Sequence, residues 1–442
     1  MSLKVIRDPV HDHVFLDRVE DRLILDLLDT PEVQRLRRIR QLGVSHLTYP
    51  GAEHSRFSHS LGVWHLTRQA LAFLQRNVGD DLKLPDDRKL AVTAAALLHD
   101  IGHGPFSRVL ERDFAGDHEK RTRDLIRDDT TGVHQALKGC DAGLPELVHA
   151  LLEGQDPELA WLRALVTSQL DADRMDYLLR DSHFCGVGYG RYDHQYILHT
   201  MNVRPVPPND LLQPVWLDKA CRVIEEYLFA RHYMLWNVYY HHTTKGYEQL
   251  LIAICRRAAH LLANGTALAV DDALKEFIKK KPLTNAEHQK VDDNMVMTHV
   301  AKWLHSDDSV LSDLCRRLVS RRGFKPIEYN DEHASSVFSL STAVNQIREG
   351  LKAAGLDPTY YFHEADLKSK TYDSYRPEKE ASEQTAVNAI LIQQPDDGSV
   401  AEISSLPGME RLKAVTDRPE RRQYFYVPEE HREEARHKLL SA

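Results

Sequence analysis

Leu97-Leu98-His99-Asp100-Ile101-Gly102-His103-Gly104-Pro105-Phe106-Ser107 is the stretch around which the chain is organised. The alanine-rich segment Ala91 to Leu98 runs into it and is apolar nearly all round, which predicts a buried helix. Gly102, Gly104 and Pro105 then break that helix. Three titratable groups, His99, Asp100 and His103, therefore sit where a core helix ends. Burying them without a partner is costly. Neutral imidazole and ionised carboxylate are natural ligands of a divalent metal, so a shared ion is the partner the pattern suggests. The competing reading is an ordinary satisfied helix terminus.

The remaining residues bound the possibilities. A chain of 442 residues exceeds one small core and predicts two or three modules. With 42% hydrophobic and 28% charged residues, it reads as a globular protein rather than a disordered one. It has no apolar run of about 18 residues, and Met1-Ser2-Leu3-Lys4 opens no signal peptide. The five cysteines, Cys140, Cys185, Cys221, Cys255 and Cys315, form no CxxC pair. The expectation is a cytoplasmic protein with free thiols and no membrane partner. A net charge of −9 argues against general nucleic-acid binding. Basic runs at Arg35–Arg40 and Arg316–Lys325 read either as solvated helix faces or as polyphosphate contacts.

Short strands flanking a turn are expected between Lys4 and Leu16, and helices over Arg22–Leu28 and Glu32–Leu42. The latter starts at Asp29-Thr30-Pro31, a capping pattern with proline in the first turn. Arg56-Phe57-Ser58-His59 opens the next helix, with Arg56 and His59 on one face. Leu165 to Asp181 is patterned as one helix, in which Asp173, Tyr177 and Asp181 form a polar stripe. Such a stripe faces solvent or lines a polar cleft, and its apolar neighbours favour the cleft. Lys219 to Ala259 reads as helical and aromatic, with Arg231 and Tyr239 eight residues apart. Beyond Pro326 helices are expected to shorten. Glu364–Gln384 reads as a charged linker or loop, and Val387–Gln393, Val400–Ser404 and Tyr424–Val427 as strands. The fold class is thus mainly α, a helical core over 1–327 followed by a small α+β module over 328–442. There is no P-loop, Rossmann fingerprint or internal repeat.

His59, His99-Asp100 and Asp173 together resemble the H…HD…D signature of the HD-domain phosphohydrolases. Arg56–Gly62, His99–Ser107 and Asp173-Arg174-Met175-Asp176-Tyr177 resemble the deoxynucleoside-triphosphate (dNTP) triphosphohydrolase branch, over roughly Lys4 to Ile327. The resemblance implies one divalent metal (Mn, Fe, Zn, Ni, Co or Mg) on His59, His99, Asp100 and Asp173. It implies hydrolysis of a dNTP to deoxynucleoside and tripolyphosphate. His103, His118 and Glu119 match the catalytic cluster. Arg56, Arg174 and Arg231 match phosphate contacts. Tyr177 and Asp181, with Tyr239, match the sugar-side wall, and Gln41 and Leu42 match residues beside sugar and base. Asp29, Gln34 and Arg37 match a guanine-nucleotide effector site formed between subunits, which implies a homo-oligomer; their alternative reading is plain helix capping. Three positions depart from the pattern: Arg108 replaces a histidine, Arg7 an asparagine and Asp12 a glycine. Arginine cannot act as a general acid near neutral pH. The alternative readings are an HD-type nucleotidase, phosphodiesterase or single-strand nuclease on the same metal site, and a nucleotide-sensing scaffold.

Overall fold

The computed structural model describes residues 3–78, 84–207, 210–329, 337–368, 372, 389–417 and 420–440. Its core is helical, as its sequence periodicity predicts. The chain opens with an antiparallel hairpin, β1 (Leu3–Asp8) and β2 (Asp12–Asp17). Helices α1 (Arg22–Leu28) and α2 (Pro31–Arg35) lead to α3 (Arg56–Val78) and α4 (Asp86–Leu98). Short α5 (Ser107–Leu110) runs into a single π-turn, Glu111–Ala115, before α6 (His118–Arg127). Then come α7 (Gly132–Cys140), α8 (Leu144–Glu153), α9 (Ala160–Val166), α10 (Ala172–Cys185) and α11 (His194–His199). The hairpin β3 (Met201–Val206) and β4 (Leu211–Leu217) precedes α12 (Cys221–Met234) and α13 (His242–Ala263). Helices α14 (Asp272–Ile278), α15 (Asn285–Lys290), α16 (Asp293–Trp303) and α17 (Ser309–Val319) complete the helical run.

The remainder is α+β. Strand β5 (Lys325–Tyr329) precedes α18 (Val337–Ala353), α19 (Pro358–Tyr361) and β6 (His363–Lys368). Strands β7 (Leu391–Gln393), β8 (Val400–Glu402) and β9 (Arg421–Val427) follow. One sheet runs β5-β9-β6 and the other β3-β4-β7-β8, so strands pair across residues 327/328. Pro326 and Pro205 lie on the edge strands β5 and β3, where a missing N–H costs least.

Several elements differ from their sequence expectation. The helix expected over Glu32–Leu42 stops at Arg35, because Ile39 is extended and the Arg40 amide donates to Asp293 Oδ2 at 2.9 Å. The expected Leu165–Asp181 helix is two helices. Asp171 caps the second by accepting the Arg174 amide, and it also accepts the Ser168 amide in the intervening turn. The aromatic helix breaks at Tyr240-His241, after a π-turn over Leu235–Tyr239. Helices do not uniformly shorten beyond Pro326, since α18 has 17 residues. Glu364–Lys368 is strand rather than linker, while 369–371 and 373–384 lie outside the described residues. The strand expected at Val400–Ser404 ends at Glu402.

Helix α3 packs between α4 and α10, and this contact fixes the site. Gly62 makes it possible. A Cβ there would lie 1.8 Å from Asp176 Oδ1 and 2.6 Å from Arg180 Nη2, both buried in α10. Gly62→Ala therefore forces the two helices apart and should cost about 1–3 kcal/mol, the scale of core overpacking. Gly139, in α7, has nothing within 4 Å of an added Cβ. Gly139→Ala should leave stability unchanged or raise it by up to about 1 kcal/mol. Urea midpoints of the two variants test the contrast.

Candidate metal centre

Three local breaks deliver the cluster. His59 lies in the first turn of α3, His99 and Asp100 follow the end of α4, and Asp173 lies in the first turn of α10. Asp173 Oδ1 is 3.0 Å from His59 Nε2 and 3.7 Å from His99 Nε2. Asp100 is 3.8 Å from His59 Nε2 through Oδ2, and 3.4 Å from His99 Nε2 through Oδ1. The four residues expected to share an ion are thus brought together.

The hydrogen bonds behind the two imidazoles set their tautomers. His59 Nδ1 is 2.7 Å from Asp176 Oδ2, and His99 Nδ1 is 2.9 Å from the Ala96 carbonyl. Both partners only accept, so each Nδ1 carries the proton and each Nε2 lone pair faces the two carboxylates. His99 Nε2 is buried with no hydrogen-bond partner. Two lone pairs and two carboxylates facing one another fit a divalent cation. Without one, protonation is the alternative. Burial opposes charge on His59, but hydrogen bonds with Asp173 and Asp176 raise its pKa to about 10. Burial also opposes ionisation of Asp100, yet Arg56, His99 and His103 hold it well below the usual carboxylate range.

A second group adjoins the first. His103 Nε2 is 3.1 Å from Asp100 Oδ1, and the His103 and His118 rings stack at 3.7 Å. The carboxylate hydrogen-bonded to His118 Nδ1 is Glu111, which the π-turn aims inward; Glu119 is exposed. Burial, reinforced by Arg56, pushes His103 down to about 3. Burial also opposes charge on His118, but its Glu111 hydrogen bond prevails and raises its pKa. Arg56 donates through Nη1 to Asp100 Oδ2 and through Nη2 to Ser107 Oγ at 3.0 Å.

The polar stripe of α10 lines the adjoining wall. Asp181 is buried and accepts from Tyr239 Oη at 2.8 Å, and its other oxygen lies 2.7 Å from His54 Nε2. Tyr177 meets the Tyr239 ring edge-on at 6.0 Å, and the Arg108 guanidinium lies 4.4 Å from the centre of the Tyr239 ring. Arg174 Nε donates to the Ser168 carbonyl at 2.5 Å, and Arg231 Nη1 donates to Gln169 Oε1 at 2.9 Å. Gln41 and Leu42 are buried, and Gln41 Oε1 has no partner. Asp29, Gln34 and Arg37 lie apart on one short stretch. Asp29 is exposed at the end of α1, and Arg37 donates to Gln34 while lying 3.5 Å over the Phe57 ring.

Sequence reasoning did not single out Asp176, Glu111 or His11. Asp176 accepts from Arg180 at 2.8 and 2.9 Å and lies 2.7 Å from His11 Nε2, besides holding His59. Its position three residues after Asp173, one helical turn on, was the available signal. Nothing in the polar run around Glu111 marked it.

A family model for the HD domain matches residues 56–181. The uncharacterised protein YwfO of Bacillus subtilis is 40% identical over 380 residues, 85% of this chain and 82% of YwfO. The deoxynucleoside triphosphate triphosphohydrolase SAMHD1 of Xenopus laevis is 26% identical over 380 residues, 76% of this chain and 57% of that protein. A solved phosphohydrolase structure from Bacteroides thetaiotaomicron superposes with a TM-score of 0.78 at 29% identity, covering 97% of this chain and all of that one. The chain belongs to the HD-domain phosphohydrolases, in the branch that includes SAMHD1, and is a metal-dependent phosphohydrolase. No helix among the described residues is long and apolar enough to cross a membrane.

Without a metal, Asp173 and Asp176 favour the charged form of His59, and Asp100 and Asp173 that of His99, so metal uptake near neutrality displaces protons from this pair. Binding should release protons, and affinity should weaken as pH falls. Calorimetry in buffers of different ionisation enthalpy counts the protons. Asp176→Asn should lower metal affinity roughly 10–100-fold, because it removes the carboxylate that sets the His59 tautomer. Metal content after dialysis against graded chelator measures this.

Proposed function

We propose that the protein hydrolyses a dNTP to deoxynucleoside and tripolyphosphate, with His59, His99, Asp100 and Asp173 holding one divalent metal. The observation that carries this reading is the grouping of His59, His99 and Asp173, with Asp100 3.4 Å from His99 Nε2 and shared with the His103–His118 group, beside the Tyr177–Asp181–Tyr239 wall. The activity named for the SAMHD1 relatives supports the substrate. When bound, the metal supplies Lewis acidity and lowers the pKa of coordinated water. The products define the bond change: a water oxygen joins the α-phosphorus, the bond to the nucleoside 5′-oxygen breaks, and that oxygen must gain a proton. His118, paired with Glu111, is the proton donor, and the stacked, buried His103 orients it. Arg56, Arg174 and Arg231 neutralise the phosphates, and Arg108 adds a fixed cation at Tyr239. Tyr177, Asp181 and Tyr239 hold the sugar, with Gln41 and Leu42 beside the base. Asp29, Gln34 and Arg37 form the nucleotide-effector contact in a homo-oligomer.

The test is a product assay with each dNTP, with and without GTP, in Mn²⁺ and then Mg²⁺. Nucleoside plus tripolyphosphate is the expected result. Mono- or diphosphate products, or no turnover in any mixture, would refute the reading. Asp173→Asn should abolish both turnover and metal retention without unfolding the protein. Glu111→Gln should lower kcat by roughly 10²-fold, the low end of what a general acid contributes. Glu119→Gln should lower it far less, and steady-state kinetics of the pair would show whether the order reverses.

A further inference from the structure

Behind the catalytic loop, on the side away from the metal cluster, lies a cavity of about 520 Å³. Its inner wall is the loop itself, Gly102, Gly104 and Pro105, with Arg35 and His288. Its rim carries Arg112, Lys120, Arg121 and Lys280. The loop backbone is tied to this wall at two points. Arg35 Nη1 donates to the His103 carbonyl at 2.7 Å, and His288 Nε2 lies 3.3 Å from the Gly102 carbonyl.

The inner wall is closed. Arg35 and His288 are 0% and 6% exposed, and His288 Nε2 donates to the Gly102 carbonyl, which leaves its buried Nδ1 as a lone pair. Arg121 gives Nη2 to Asn285 at 2.8 Å but leaves Nε buried and unpartnered. The acidic residues lining the cavity offset only part of the cations: Asp124 favours the charged form of Arg121. Asp113 is paired with Arg256 at 2.7 Å, and Asp117 caps α6 by accepting the Lys120 amide. Lys280 lies over the Phe114 ring at 5.4 Å and, among the described residues, has no acid partner. The cavity therefore presents several cations to one space, which is the arrangement that takes up a multiply charged anion. Four rim cations spread around this volume exceed what a single phosphate would engage.

We propose that this cavity binds a chain of two or more phosphates, presented as inorganic polyphosphate or as the tail of a nucleotide. Helix α6 carries His118 toward the metal cluster, while its Lys120 and Arg121 line the cavity. Loop and helix are locked together, because the Gly102 amide donates to Thr122 Oγ1 at 3.0 Å and a Cβ on Gly102 would lie 2.2 Å from the His118 carbonyl. An anion seated there braces the backbone that presents His103 and His118. The site is separate from the proposed hydrolysis, and a binding measurement keeps the two apart.

The experiment is calorimetric titration of the metal-free, full-length chain at 0.15 M salt with tripolyphosphate, and separately with ATP. Lys120→Glu/Lys280→Glu is compared with Arg174→Ala/Arg231→Ala. Both lysines are exposed, so the first variant should melt like the parent protein. It should weaken binding of at least one ligand tenfold or more, whereas the cleft variant should retain that binding event. Parallel loss of both ligands supports a shared phosphate tail. Loss confined to ATP supports a nucleotide, and loss confined to tripolyphosphate supports inorganic polyphosphate. Unchanged affinity for both in the lysine variant, or no binding to the parent protein, overturns the site.

Discussion

The buried carboxylate of Asp176 is the constraint on which the metal centre depends. It is fully buried and surrounded by His11, His59 and Arg180. Arg180 is equally buried and reaches Asp8 at 2.8 Å, so the N-terminal hairpin is tied to α10 through the same charges. A buried charge pair is costly to desolvate and gains little net stability over an apolar pair, but removing one member is severely destabilising. Here the expense has a purpose. It fixes which nitrogen of His59 carries the proton, and therefore which one can hold a metal.

The paired histidines apply the same rule with the opposite outcome. His103 and His118 are stacked, yet their surroundings push their proton affinities apart. Burial beside Arg56 keeps His103 neutral, and Glu111 favours the charged form of His118. Two stacked imidazoles are thus held in different protonation states by their surroundings. The Arg108 guanidinium lies apart from them, against Tyr239.

The helical core and the pairing of His99 with Asp100 were legible because they rest on local signals; joining His59 and Asp173 to them took the resemblance to the HD signature. A buried helix that stops at His-Asp, with glycines after it, can be read directly. The helix breaks were not legible. Apolar periodicity continues through Thr167–Gln169 although the backbone turns there, and Asp171 looks like any other acid until its side chain caps α10. Strands β3 and β4 were hidden: Pro205 and Pro214 interrupt the alternation that marks a strand, and only the pairing of the two segments reveals the hairpin. Glu111 and His118 are seven residues apart in a polar run, and only a π-turn, invisible to periodicity, turns the carboxylate inward.

The β3-β4-β7-β8 sheet has a consequence for how the protein is made. Trp216 pairs with Ile392, and the intervening chain includes most of the second half of the molecule. At about 5–20 residues per second of synthesis, β4 waits on the order of ten seconds or more for its neighbour to emerge. During that interval the β3–β4 hairpin has an open edge, and an open edge invites pairing with another chain. The four residues of the candidate metal centre are all synthesised well before the strand that completes this sheet. The nascent chain is therefore exposed to misassembly at the β4 edge until β7 emerges.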